Sequence, residues 1–96
     1  MVCTVLLELK VKPECVDDMI TGLGAMLPDT RKYDGCIEVY ATQDQDDPTT
    51  VVAVEKWESR QHYEKYLAWR TETGAMDGIA AMVTQPPSIR FFDIKA

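Results

Sequence analysis

Residues 51–69 read VVAVEKWESRQHYEKYLAW, and the fold turns on how this stretch divides. Its first half is an apolar run ending in Glu55-Lys56-Trp57-Glu58, which reads as a strand. Its second half opens at Ser59, a good helix N-cap, and keeps a helical pattern to about Arg70. The division sets Trp57 at the mouth of the strand. Tyr63 and Tyr66 fall on the helix that follows, within reach of the same space. An indole and two phenols around one strand end can line a small aromatic pocket, where ligands bind in compact α/β domains.

Working outward, residues 2–11 alternate, with Cys3, Val5, Leu7 and Leu9 on one side and Thr4, Leu6, Glu8 and Lys10 on the other. This is a first strand. Pro13 suits the opening turn of a helix, where its missing N–H costs nothing, and Glu14, Asp17 and Asp18 complement the helix dipole. Val16, Met19, Ile20, Leu23 and Leu27 form the expected buried stripe. Pro28 is expected to end that helix, leaving residues 28–35 as a turn-rich connection.

Residues 36–42 (CIEVYAT) read as a second strand, and the acidic DQDDPTT at 44–50 as a hairpin-type loop before the third. Gly74 breaks the second helical pattern. Met76, Ile79, Ala80 and Val83 suggest a further short helix, and Pro86-Pro87 lead into a last strand, SIRFFDI, at 88–94. The order β-α-β-β-α-β is the split βαβ arrangement of ferredoxin-like α+β folds, with an antiparallel sheet, and one domain over residues 1–96.

The strands are apolar on both faces. Val5 and Leu7 stand against Leu6, Ala53 against Val52 and Val54, Phe91 against Phe92 and Ile94. Helices cover only one face of such a sheet, so the second apolar face calls for a cover, most simply a second copy of the same sheet across a two-fold axis.

Composition narrows the partners. Ninety-six residues suit one compact domain, and 46% hydrophobic content is ordinary for a globular chain. A formal charge of −6 speaks against nucleic acid or an anionic membrane as the partner. No apolar run approaches the roughly 18 to 20 residues that span a membrane. Residues 1–11 carry Glu8 and Lys10 within the apolar stretch and lack a basic flank, so they read as a strand and not a signal peptide. Cys3, Cys15 and Cys36 follow no metal or disulfide spacing, which fits reduced thiols in a cytoplasmic protein with no metal site.

With those elements placed, the chain resembles the antibiotic biosynthesis monooxygenase family of dimeric α+β barrels over nearly its whole length. The likeness is carried by Val11-Lys12-Pro13 before an acidic-start helix, by the Tyr33-Asp34-Gly35-Cys36 turn, and above all by Val54-Glu55-Lys56-Trp57-Glu58-Ser59 before an aromatic-bearing helix. The resemblance implies a homodimer joined through its sheets, with a pocket in each subunit between helices and sheet. It also implies one of several activities: oxidation of phenolic or quinol compounds by O₂ without metal or flavin, haem degradation, or none known.

Residue by residue the resemblance is mixed. Trp57 and Tyr63 match the pocket Trp and Tyr that cofactor-free members keep six residues apart. Ala53 stands where such enzymes often have Asn, and Tyr66 where many carry His. Leu6 and Met76 occupy the places of the Asn and His of the haem-degrading branch, which argues against haem, since Leu offers iron neither ligand nor hydrogen bond. The expected small-molecule site is therefore lined by Leu6, Ala53, Trp57, Tyr63 and Tyr66, without a cofactor.

For catalysis three side chains stand out. Glu55 shares the Trp57 face, so desolvation would raise its pKa and make it a general base; the alternative is a structural pair with Arg70 or Arg90, with Glu8 in the same cluster. Tyr63 can hydrogen-bond a substrate oxyanion or simply fill the core. His62, the single histidine, is either a base acting through water or a surface residue. The functions in view are a cofactor-independent monooxygenase on a small aromatic hydroxyl or quinol compound, a non-catalytic domain binding a small apolar metabolite, and a cofactor-free isomerase.

Overall fold

The computed structural model describes residues 1–96. Four strands, β1 (Cys3–Lys10), β2 (Cys36–Gln43), β3 (Thr50–Trp57) and β4 (Ser88–Asp93), form one antiparallel sheet in the order β2-β3-β1-β4. Three helices, α1 (Val16–Lys32), α2 (Arg60–Glu72) and α3 (Ala75–Met82), complete the α+β ferredoxin-like arrangement. Strand period decides which side chains meet the helices. Cys3, Val5, Leu7 and Leu9 of β1 lie beside Trp57, Glu55, Ala53 and Val51 of β3, and all eight are buried.

The helices hold two apolar clusters against that face. One gathers Leu7, Leu9, Met19, Leu23, Val51 and Ile79; the other is Cys3, Val5, Trp57, Tyr63 and Tyr66. Ser59 caps α2 as expected, accepting the His62 backbone N–H at 3.2 Å. Gly35, at φ +89°, turns the chain into β2, and a Cβ there would overlap the His62 ring.

Two expectations for the first helix fail. A short 3₁₀ turn, Pro13–Cys15, precedes α1, and the helix then runs through Pro28 to Lys32 instead of ending. The backbone bond that Pro28 forfeits would reach Gly24; both residues are exposed, so water can serve the freed carbonyl. The last turn is held from the other side, where Thr30 is buried and bonded to Tyr66 Oη at 2.7 Å. Of the expected stripe, Met19 and Leu23 are buried, Val16 packs against them and Leu27 lines the cavity under α2, but Ile20 is 41% exposed; Met26 and Thr30 complete the inner face.

The uncovered face of the sheet is partly apolar, as expected. Tyr40, Val54 and Leu6 lie side by side across β2, β3 and β1, with Val52 and Phe92 on the same face. Glu38–Lys56 (3.4 Å) and Glu8–Arg90 (3.9 Å) ion pairs flank them. Leu6 therefore stands on the opposite side of the sheet from Glu55 and Trp57, which corrects its place in the expected pocket wall. Glu8 and Arg90 are on that far face too, so neither joins Glu55.

Candidate functional site

Tyr63, Tyr66 and Arg70 are spaced i, i+3 and i+7 along α2, which puts them on one face. That face is buried over β3, where alternation aims Ala53, Glu55 and Trp57 the same way. A small, mostly apolar cavity of about 30 Å³ lies between helices and sheet, lined by Leu7, Ala53, Glu55, Tyr63, Tyr66 and Arg70 among others. It holds about one water's worth of space. Met26 and Met76 are also in its wall, unbranched side chains that can rearrange around a ligand.

A wider groove of about 140 Å³ opens between α1 and α3 and shares Leu23, Met26 and Ile79 with the cavity. The largest depression, about 280 Å³, is lined by Met1, Ser59, Arg60, Phe91 and Asp93 and includes none of the cavity residues. It is an open polar surface with no buried acid or base, so the small cavity is the chemical candidate.

Glu55 is the unusual group. It is 4% exposed, and its one hydrogen bond is from Trp57 Nε1–H at 3.0 Å. Neither Arg70 nor Arg90 pairs with it, which corrects the structural-pair alternative. Desolvation raises its pKa from 4.5 to about 7, with the Trp57 bond opposing the rise. Tyr63 has its pKa pushed far up, first by burial, then by the negative potentials of Glu55 and Tyr66. It therefore stays a neutral phenol, and its hydroxyl makes no hydrogen bond within the protein.

Trp57 is fully buried and lies behind the cavity instead of in its wall. Its ring sits 5.6 Å from Tyr63 and 5.0 Å from Tyr66, and its contribution to the site is to hold Glu55 in place. Tyr66 Oη bonds Thr30 Oγ1 at 2.7 Å and accepts from Arg70 Nε at 2.9 Å.

The structure thus brings Ala53, Glu55, Tyr63 and Tyr66 to one cavity and leaves Leu6 and His62 outside it. His62 is half-buried on a different side of α2: Nδ1 is 2.6 Å from Ser59 Oγ, and Nε2 faces Glu58 at 3.7 Å and Asp34 at 3.9 Å. Those bonds tie the start of α2 to the turn before β2. Sequence reasoning missed Arg70 and Thr30 as cavity residues. For Arg70 the signal was present, since its spacing from the two tyrosines places it on their stripe. Cys3 is buried, and the Cys36 thiol is pushed up by burial, then by Glu55; all three cysteines are free. No cluster of three or more His, Cys, Asp or Glu is placed to hold a metal, and no helix is long and apolar enough to cross a membrane.

A strand-end Trp behind a buried acid, with α2 aromatics over the sheet, defines an α+β domain with a small interior cavity. The chain belongs to the antibiotic biosynthesis monooxygenase family, whose model matches residues 2–72. Among solved structures, a conserved protein of Methanosarcina mazei Go1 is similar at 18% identity and TM-score 0.90, covering 99% of this chain and 94% of that one. An antibiotic biosynthesis monooxygenase is similar at 23% identity and TM-score 0.87, with 98% and 99% covered. A Mycobacterium tuberculosis protein matches at 18% identity and TM-score 0.88, with 100% and 97% covered. At these identities the likeness is one of fold. No curated protein matches the chain.

The raised Glu55 pKa has a stability consequence of definite sign. The folded state binds this proton more tightly than the unfolded chain, so the contribution is complete below pH 4.5 and is lost as pH rises through about 7. A shift from 4.5 to about 7 corresponds to a loss of about 3 kcal/mol once Glu55 is ionised in both states. Glu55→Gln keeps the shape and cannot ionise. Urea denaturation of both proteins across this range is expected to show the wild type losing ground to the variant by about that amount, mostly between pH 4.5 and about 7.

Proposed function

We propose that the cavity binds a small aromatic hydroxyl or quinol-type compound and that Glu55 removes its acidic proton. The observation that carries this reading is a buried carboxyl whose pKa lies near neutrality, facing the same cavity as the unbonded Tyr63 hydroxyl. A base of that pKa is matched to proton removal at physiological pH. The resulting anion is electron-rich enough to pass an electron to O₂ without metal or flavin. Combination of the radical pair forms a C–O bond at a ring carbon. Loss of water from that peroxide leaves a carbonyl, so one oxygen atom enters the product, the other leaves as water, and the substrate supplies all the electrons. Tyr63, held neutral, donates a hydrogen bond to the developing oxyanion.

A second reading is favoured by Ala53. This cavity position offers a methyl where cofactor-free members of the family often have a side-chain amide, and a site with fewer polar groups suits a domain that binds a small apolar metabolite, or an isomerase that needs only the base. Oxygen uptake with anthrone- and quinol-like compounds separates these readings. The monooxygenase consumes O₂ with them, and Glu55→Gln lowers turnover by about 10²-fold or more. A binding domain takes up no O₂ and binds the same compounds whether residue 55 is Glu or Gln.

We also infer that the working protein is a homodimer joined through the uncovered sheet face, in a cytoplasmic setting that the three free thiols suit. Support comes from the row of Tyr40, Val54 and Leu6 across that face, an apolar surface that a lone subunit would leave in water. A second copy would bury on the order of 1,500 Å² or more in total. Light scattering at micromolar concentration is expected to give twice the chain mass, and Val54→Lys, central on that face, to give a folded monomer. A monomeric wild type would refute the inference.

A further inference from the structure

Arg70 is 7% exposed and lies in the wall of the same cavity as Glu55, yet no carboxylate comes within 4.0 Å of it. Withdrawing most of a guanidinium from water without an anion is costly, and native structures rarely leave such a charge uncompensated. What surrounds it is neutral. Nε donates to Tyr66 Oη at 2.9 Å, and Nη2 donates to the Met26 carbonyl at 3.0 Å and to Thr30 Oγ1 at 3.1 Å. The Trp69 ring face lies 4.5 Å from the guanidinium carbon. Nη1 makes no hydrogen bond within the protein.

The hydroxyls on this wall are spent in one direction. Thr30 Oγ1 donates to the Met26 carbonyl at 3.2 Å, so the Tyr66–Thr30 bond carries the tyrosine proton, and Tyr66 in turn accepts from Arg70. Both hydroxyl protons are thus spent within the network, and the guanidinium is the one positive group on this wall. Glu55 supplies no counter-charge, because its own bond is with Trp57 and it holds a proton up to about neutral pH.

Resting on the reading of the cavity as a site for an aromatic hydroxyl compound, we propose that its ligand is anionic: an aromatic hydroxy acid whose carboxylate is received by Arg70 and whose hydroxyl meets Glu55. Nε and Nη2 are committed to protein acceptors, so the Nη1 N–H groups are the donors left for a charge-assisted bond to a carboxylate. The chain as a whole, at −6, repels anions, so selectivity for one has to come from this local wall. Arg70 lies one helical turn from Tyr66 and two from Tyr63, so a single rigid element presents the anion's partner and the phenol that faces Glu55.

The test uses 4-hydroxybenzoate and its neutral methyl ester, equal in ring and hydroxyl. Isothermal titration calorimetry of the wild-type protein is expected to give affinity for the carboxylate about tenfold or more above that for the ester. Arg70→Met should bring the affinity for the acid down toward that for the ester, and Arg70→Lys, which restores the charge, should recover part of the difference. An Arg70→Met protein that keeps the full preference for the acid would overturn the proposal. So would equal binding of acid and ester by the wild type, a comparison that needs no variant to fold. Oxygen uptake with the same pair separates the two levels. Preferential binding of the acid without O₂ uptake sinks the monooxygenase reading alone, whereas turnover of the ester at equal or better affinity sinks the anionic-ligand proposal alone.

Discussion

A carboxyl group on the covered face of a sheet has to be held there by something, and in this protein a single indole N–H at 3.0 Å holds it. The rest of the site follows from that bond. Glu55 and Trp57 are two residues apart on β3, so strand alternation points both at α2. The indole must be buried for the fold to close, and its N–H must then find an acceptor. Glu55 is that acceptor, which makes the acid part of the core's hydrogen-bond accounting as well as the base of the site. One N–H does not repay the loss of water, so the proton stays on to about pH 7. A residue placed by packing is thereby left in the protonation range where proton transfer is useful.

The cavity in front of Glu55 is asymmetric. On one side stand a protonated acid and a tyrosine whose hydroxyl is unbonded; on another, Arg70, Tyr66 and Thr30 form a hydrogen-bonded network that leaves one guanidinium nitrogen free. That network also settles a structural matter, since it anchors the last turn of α1 and lets the helix continue through Pro28. The cavity is small as it stands, about 30 Å³, and Leu23, Met26 and Ile79 line both it and the larger groove between α1 and α3. A ligand of one ring therefore has to displace side chains of this shared wall. The three free cysteines, the surface His62 cluster and the acidic loop before β3 take no part in this chemistry.

How much was legible in the sequence follows the range of the forces involved. Alternation in residues 2–11 and 51–57 is local, so the strands, their faces and the ferredoxin-like order could be read directly. Ser59 named the start of α2 because capping is local too. Pro28 misled because its propensity was overruled by a bond from Thr30 to Tyr66, thirty-six residues away. Leu6 was assigned by family position, although its own alternation with Val5 and Leu7 already set it on the far face. Trp57 was expected in the pocket wall, but only the packing of Tyr63 and Tyr66 over it shows that it lies behind. Arg70 carried the right spacing and was read for its charge instead, as a partner for Glu55.

The central claim is that Glu55 is a buried carboxyl whose proton is lost near neutral pH because only Trp57 solvates it. Carbon-13 NMR of protein labelled at the glutamate side-chain carboxyl carbon, assigned by difference against Glu55→Gln, follows that proton directly. A Glu55 resonance titrating with a midpoint near 7 is the predicted result. A midpoint near 4.5, the ordinary value, would contradict the account, because the carboxyl would then be solvated and not the desolvated acid described.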